Sequence, residues 1–333
     1  MDEQSLYAAI DLGSVSFHLV IMAKRNGKLV WVDCKKEIVR LASGLDPDTG
    51  TLRPEVQKRA LKCLNYFRRQ LGRIPRENIR AVGTSTFRRL KDANQFLAEC
   101  EKTLSLPISV LSGQDEAKYI YRGVACNLPH DNRFVIDIGG GSTEFIVGEG
   151  KRLVHCESMD LGCITLSQQY FSGNELNPKQ FAACEQQVAE TLRPIAPAFQ
   201  NRNWDSELGT SGSIKAVSWA LQHQDFSDGE ITREALDEMR AGILTCKDLP
   251  TLAKFLNLNH RRTSVFCAGF IILQQAFKEL GLSYIRVSQG AIREGLIDEL
   301  IDESENVMAA GVSASDTPTS EQRPATGQAN SAI

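Results

Sequence analysis

Two stretches carry residues whose types and spacing could do chemistry. Residues 134–148 read FVIDIGGGSTEFIVG, and residues 8–22 read AAIDLGSVSFHLVIM. Setting Asp11 on Asp137 also sets Ile10 on Ile136, Gly13 on Gly139 and Ser16 on Ser142. Each copy puts a carboxylate at the mouth of an apolar run, adds a turn poor in side chains, and returns to a second apolar run. Glycine has no Cβ, so its backbone N–H can come close to a ligand. Successive N–H groups in a tight turn form a concave anion site. Phosphate suits such a turn, and a carboxylate at its edge suits a divalent cation. One such loop alone is more often a simple hairpin turn.

Both copies continue to a second turn and another strand, NGKLVWVD at 26–33 and EGKRLVHCE at 149–157. A match of loop, flanks and following hairpin is much harder to dismiss than a match of one loop. Two similar units facing one another would set two acidic, glycine-bearing turns on opposite walls of a cleft. A third loop, LGTSGS at 208–213, opens an apolar-periodic helix. Its free N–H groups and the positive end of the helix dipole would face an anion. A plain helix cap by Ser211 or Ser213 is the competing reading.

The elements that must hold these loops alternate along the chain. Pro54–Leu71 reads as a helix with Pro54 at its first position and an apolar face of Val56, Leu61, Leu64, Phe67 and Leu71. Residues 79–86 form a strand, 92–103 a helix, 108–113 a strand and 114–126 a helix. Asn177 and Pro178 start a long helix that Pro194 and Pro197 kink or end. Helices at 231–245, 263–280 and 291–301 and a strand at 283–288 complete an α/β protein with mixed sheets. From Ser304 the chain is rich in Ser, Ala, Thr and Gly, which predicts a disordered tail over 304–333.

The whole chain sets outer limits. Its 333 residues suffice for two domains, and 42% apolar with 24% charged content fits a globular protein. A net charge of -3 gives no bulk attraction to a nucleic acid polymer or an anionic membrane. No run of 18 apolar residues spans a membrane, and the acidic N-terminus lacks the pattern of a signal peptide. Nine scattered cysteines without a CxxC pair imply free thiols and a cytoplasmic location. None of His18, His130, His155, His223 and His260 has ligand spacing, and none is assigned a role.

The duplicated hairpin resembles the actin/Hsp70/sugar-kinase superfamily. The stretches IDLGSVSFHLVI, KEIVRLASGL, VGTSTFRR, VLSGQDEAKYIYRGV, VIDIGGGSTEF, LGCITLSQQYF, LGTSGSIKA and RVSQGAIREGLI resemble, in order, the blocks of the exopolyphosphatase/guanosine-pentaphosphate phosphatase (Ppx/GppA) family. The likeness covers about residues 6–303 and fits the short, two-domain form. It implies two actin-like (ribonuclease H-like) domains with mixed sheets flanking a central cleft, over 1–128 and 129–303. It further implies Mg²⁺-dependent release of terminal orthophosphate from inorganic polyphosphate, conversion of pppGpp to ppGpp, or both. Pairing of copies as a homodimer belongs to the same expectation.

Hydrolysis of a terminal phosphoanhydride needs held phosphates, offset charge, a water in line and a base. The loops Gly13–Ser14, Gly139–Gly140–Gly141–Ser142 and Gly209, Ser211, Gly212 and Ser213 would hold phosphates. Asp11, Asp137 and Glu144 would hold Mg²⁺; each has an ordinary reading as a turn acceptor or strand residue. Ser112 and Asp115 fit a helix capping box, which leaves Glu116 free of that duty. The resemblance places the catalytic glutamate at Glu116, and the phosphate-contacting arginine at Arg88, whose fork suits phosphate oxygens. Arg261 and Arg262 could guide a polyanion, although charge runs are usually solvated. One departure stands out: Val15 occupies a position where the family usually carries Asn. A kinase of the same superfamily and a weakly catalytic ligand sensor, the latter motivated by Val15, are the rival readings.

Overall fold

The computed structural model describes residues 5–309 apart from Asn26, Gly27, Pro47, Arg73, Asp92, Asn201 and Asn203. The first apolar run and its return form the antiparallel pair β1 (Leu6–Leu12) and β2 (Ser16–Arg25), followed by β3 (Lys28–Ile38). The chain then runs through α1 (Pro54–Leu71), β4 (Ile79–Gly83), α2 (Ser85–Arg89), α3 (Ala93–Leu104), β5 (Ser109–Val110) and α4 (Gly113–Ala125). The second copy forms β6 (Asn132–Ile138), β7 (Thr143–Glu149) and β8 (Arg152–Met159). After it come α5 (Cys163–Tyr170), α6 (Pro178–Leu192), α7 (Ala196–Gln200), β9 (Ser206–Thr210) and α8 (Ser211–His223). The chain ends with β10 (Ile231–Thr232), α9 (Arg233–Thr245), α10 (Leu249–Leu256), α11 (His260–Leu280), β11 (Tyr284–Val287) and α12 (Ile292–Ala309).

The duplication seen in the loops extends to the sheets. The first runs β3-β2-β1-β4-β5, and the second runs β8-β7-β6-β9-β11-β10. In each, two hairpins lead into strands parallel to the first: β4 lies along β1 and β9 along β6. The register puts Asp11 opposite His18 and Asp137 opposite Glu144. Turns after parallel strands gather at the carboxyl edge of a sheet, where α/β proteins bind ligands.

Alternation along the strands builds three apolar layers. In β1, Ala8, Ile10 and Leu12 pack outward against the α1 and α3 faces. Tyr7 and Ala9 point inward, into a cluster with Val135 and Ile146 of the second sheet. That middle cluster is filled by α4 (Ala117, Ile120, Tyr121, Val124) and α12 (Leu296, Ile297, Leu300, Ile301), so two helices lie between the two sheets. Phe134, Ile136 and Ile138 face the other way, onto the large core with α11. The architecture is α/β, with a five-stranded and a six-stranded mixed sheet on either side of α4 and α12.

The helices α4 and α12 touch backbone to backbone. A Cβ on Gly123 would sit 1.8 Å from Ala291 O, and one on Gly295 1.9 Å from Tyr119 O. Arg122 pairs with Asp298 and Asp302, and Tyr119 Oη donates to Glu299. The last helix thus returns to the first half of the chain, packing on β1 and α4. It also continues through Ala309, past the expected start of the tail at 304, because Lys24 and Arg80 pair with Glu305 and Glu303. The remaining expected tail, from residue 310, lies outside the described residues.

Smaller differences have local causes. The expected strand 108–113 shrinks to β5 because Ser112 is already the N-cap of α4, its Oγ accepting from Asp115 N. Thr232 caps α9, which frees Ile231 and Thr232 to pair with β11. Among the described residues, no helix is long and apolar enough to cross a membrane.

Candidate active site

The two aspartate turns have the same shape. A Cβ on Gly13 would lie 3.0 Å from Ser16 O, and one on Gly139 3.0 Å from Ser142 O. Gly139 N closes its turn by donating to Ser142 O at 2.9 Å. The carbonyls of Gly139 and Gly140 accept from Cys163 N and Ile164 N, both at 3.0 Å, so α5 anchors the turn from behind. The turns also meet face to face. A Cβ on Gly140 would be 3.0 Å from both Ser14 Cβ and Val15 Cγ2, and one on Gly141 2.5 Å from Ser85 Oγ. Thr86 Oγ1 donates to Ser14 Oγ at 2.7 Å, which ties the first turn to the start of α2.

The third loop joins them at the N-terminus of α8. Ser211 adopts φ +92°, a left-handed value that strains a non-glycine residue. Its Oγ accepts from Ser213 N at 3.2 Å. A Cβ on Gly212 would meet the Arg262 guanidinium at 2.4 Å, so arginine and loop backbone are in contact.

All three loops line one cavity of about 400 Å³. Asp11, Gly13, Ser14, Gly139, Gly140, Gly141, Ser142, Ser211, Gly212 and Ser213 are on its wall, together with Glu116 and Val15. Three expected site residues are not. Gly209 packs inward, where a Cβ would meet Ile285 and Ile214 at under 3 Å. Glu144 is buried behind Asp137, accepting from Ser158 Oγ at 2.9 Å. Arg88, expected to contact phosphate, is instead held by protein: its Nη1 donates to Glu116 Oε2 at 2.6 Å and to Leu111 O at 3.0 Å.

The carboxyl groups crowd one another. Burial, and then Glu116 and Glu294, push Asp11 up to about 7 against the pull of Arg293. Burial, Glu116 and Asp11 push Asp137 up to about 7. Burial raises Glu116 while its bond to Arg88 pulls it back, and Glu144 is raised well above the usual range by burial, Glu116 and Asp137. Two facing anion-type turns with a buried glutamate between them are an arrangement for phosphoryl chemistry. A model of the Ppx/GppA phosphatase family matches residues 20–304.

This chain belongs to the Ppx/GppA phosphatase family. Solved structures agree on the fold. A Ppx/GppA family member from Aquifex aeolicus is 24% identical, with a TM-score of 0.75 over 90% of this chain and 98% of that one. An exopolyphosphatase from Cytophaga hutchinsonii is 21% identical, with a TM-score of 0.77 over 93% and 99%. An exopolyphosphatase-like protein is 18% identical, with a TM-score of 0.80 over 92% and 100%.

The phosphatase surrounds its acids with cations that sequence reading did not assign. Lys36, Arg40, Lys215 and Arg293 line the cavity, as do Arg261 and Arg262. Lys36 was discoverable from register, since β3 places it beside His18, itself beside Asp11. Arg40 stands at φ +54° and donates its N–H to Val15 O at 2.7 Å. Lys215 and Arg293 lie inside the LGTSGSIKA and RVSQGAIREGLI stretches, which by themselves gave neither residue a role. Burial and the neighbouring Arg262, Arg293 and Lys215 lower Lys36, which reflects how tightly these charges are packed.

A divalent cation is compatible with this site in one form. Asp11 Oδ1 is buried with no hydrogen-bond partner, and Asp137 lines the same cavity. Among the described residues, no group of three or more His, Cys, Asp or Glu is placed to hold a metal. A carboxylate pair suits Mg²⁺, which takes one or two carboxylates and completes its shell with water and substrate phosphate.

Proposed function

We propose that this phosphatase releases the terminal orthophosphate of inorganic polyphosphate, of pppGpp to give ppGpp, or of both. The observation that carries the reading is the single cavity on which both aspartate turns, the Ser211–Ser213 loop and Glu116 converge, ringed by cations. Backbone N–H groups of the turns would hold phosphate oxygens, and the cations would offset the charge of the chain. Asp11 and Asp137 would hold Mg²⁺, with Glu144 behind Asp137. The ion supplies charge neutralisation at the phosphate oxygens when bound.

Glu116 takes a proton from the attacking water. The new P–O bond forms at the terminal phosphorus as the bridging P–O bond breaks, and its electron pair leaves with the shortened chain. Arg88 fixes the Glu116 carboxylate through Oε2 and keeps it from rising further in pKa. The nine free cysteines support a cytoplasmic setting.

The test is released orthophosphate from polyphosphate and from pppGpp with Mg²⁺, with Glu116→Gln alongside. Release by the parent, lost by about 10²–10⁴-fold in Glu116→Gln, is expected. No release from either substrate would overturn the reading.

A further inference from the structure

Arg293 reaches the cavity from the first turn of α12, and its Nη1 lies 2.5 Å from His18 Nδ1. A guanidinium can only donate. His18 therefore accepts at Nδ1 and carries its proton on Nε2, which faces Ser16 Oγ at 2.7 Å. Arg293 Nε is buried and has no hydrogen-bond partner. A buried cationic donor without a partner is costly, and the same side chain lines the cavity where a ligand would sit. Its surroundings fix where that would be. Arg293 is the main charge lowering Asp11, and it also acts on Asp137. The guanidinium thus stands beside both aspartate turns.

The duplication sharpens the role of His18. Asp11 faces His18 as Asp137 faces Glu144, so the histidine occupies the position that is a buried glutamate in the second copy. A carboxylate at position 18 would pair with Arg293 and quench its charge. A neutral imidazole orients the same guanidinium and leaves the charge for a ligand. The guanidinium donor at Nδ1 leaves that nitrogen without a proton, so the ring is neutral.

We propose that Arg293 contacts a phosphate oxygen of the bound phosphoanhydride chain and that His18 is its positioning residue. The inference rests on the phosphohydrolase reading above and adds a recognition group to the same site.

The probe is imidodiphosphate, a P–N–P compound that resists hydrolysis, bound calorimetrically in the presence of Mg²⁺. Arg293→Met weakens its binding by about 10-fold or more, the range of a charge-assisted hydrogen bond. His18→Leu raises KM for phosphate release while kcat changes much less. His18→Gln, whose amide can accept from Arg293 and donate to Ser16, restores parent affinity. His18→Glu, nearly the same size but charged, binds about 10-fold more weakly than His18→Gln. Thermal melts confirm that each variant folds; if His18→Leu does not, the Gln and Glu pair carries the test. Equal affinities for Gln and Glu overturn the positioning role. Unchanged binding in Arg293→Met, with a parent that binds, overturns the contact alone. A parent that neither binds imidodiphosphate nor releases phosphate overturns the phosphohydrolase reading and this proposal together.

Discussion

Arg88 and Glu116 form an ion pair at 2.6 Å in a setting that excludes most water, with Glu116 only 8% exposed. The pair is recessed from the cavity on the arginine side and lines it on the glutamate side. Burial raises Glu116, and Arg88 is the group that opposes the rise. A base works only when deprotonated, so the role proposed for Glu116 predicts activity that climbs as pH rises through its pKa. Removing Arg88 raises that pKa and moves the acidic limb of the pH–rate profile to higher pH. Arg88→Met is expected to show this displacement, and Arg88→Lys a smaller one. An unmoved acidic limb in Arg88→Met would show that Glu116 does not set it.

Asp11 and Asp137 make stability depend on pH in an unusual direction. Each carboxyl is raised from its ordinary 3.8 to about 7, so between these values the folded protein binds more protons than the unfolded chain. By linkage, stability then falls as pH rises from about 4 to about 7 and levels off above. A cation held by both carboxylates offsets this loss and must displace protons to bind. The expected melts show a larger Mg²⁺-induced rise in Tm at pH 8 than at pH 5. Asp11→Asn raises the Tm of the metal-free protein at pH 8 and removes most of the Mg²⁺ response. An equal Mg²⁺ effect at both pH values would detach the aspartates from cation binding.

Val15 is an apolar residue between the two glycine-bearing turns, and the structure shows what it touches. It packs onto the core cluster of the second sheet and lies against Gly140. Val15→Asn gives up that contact and adds a group able to bond a phosphate oxygen. A loss of about 1 kcal/mol is expected, the low end for placing an amide in a partly buried site. The gain should appear as a higher kcat/KM for phosphate release. A lower Tm without any gain would assign Val15 to packing alone.

The legible parts of this molecule were those written in short repeats. The aligned Asp11 and Asp137 turns revealed the duplicated hairpins, because a glycine-bearing turn between apolar runs is a local signal. The shared cavity followed from the duplication. What could not be read depends on contacts distant in sequence. Arg293 and His18 are 275 positions apart and meet only because α12 returns to β1. Arg88 pairs with Glu116, 28 positions further on, which no spacing within TSTFRR encodes. Gly209 looked like a loop glycine and proved to be a packing one, since the neighbour that forbids a side chain, Ile285, lies on another strand.

Gly162 tests whether the Gly139–Ser142 turn is held rigidly from behind. It precedes α5 at φ −115°, a conformation open to alanine, so only space distinguishes the two residues. A Cβ there would fall 2.2 Å from Gly140 O and 2.3 Å from Gly141 Cα. Both are backbone atoms of the turn, with no flexible side-chain end to swing aside. The turn must shift, or α5 must pull away and lengthen the bonds from Cys163 and Ile164 to the Gly139 and Gly140 carbonyls. Overpacking of this kind costs about 1–3 kcal/mol. Gly162→Ala should therefore lower Tm and also weaken imidodiphosphate binding, because the displaced atoms belong to a turn that lines the cavity. Gly173→Ala is the control, since a Cβ there meets only Glu175 N, at 3.9 Å. If Gly162→Ala loses stability but binds as the parent does, the turn tolerates movement, and its backbone N–H groups do not set the affinity.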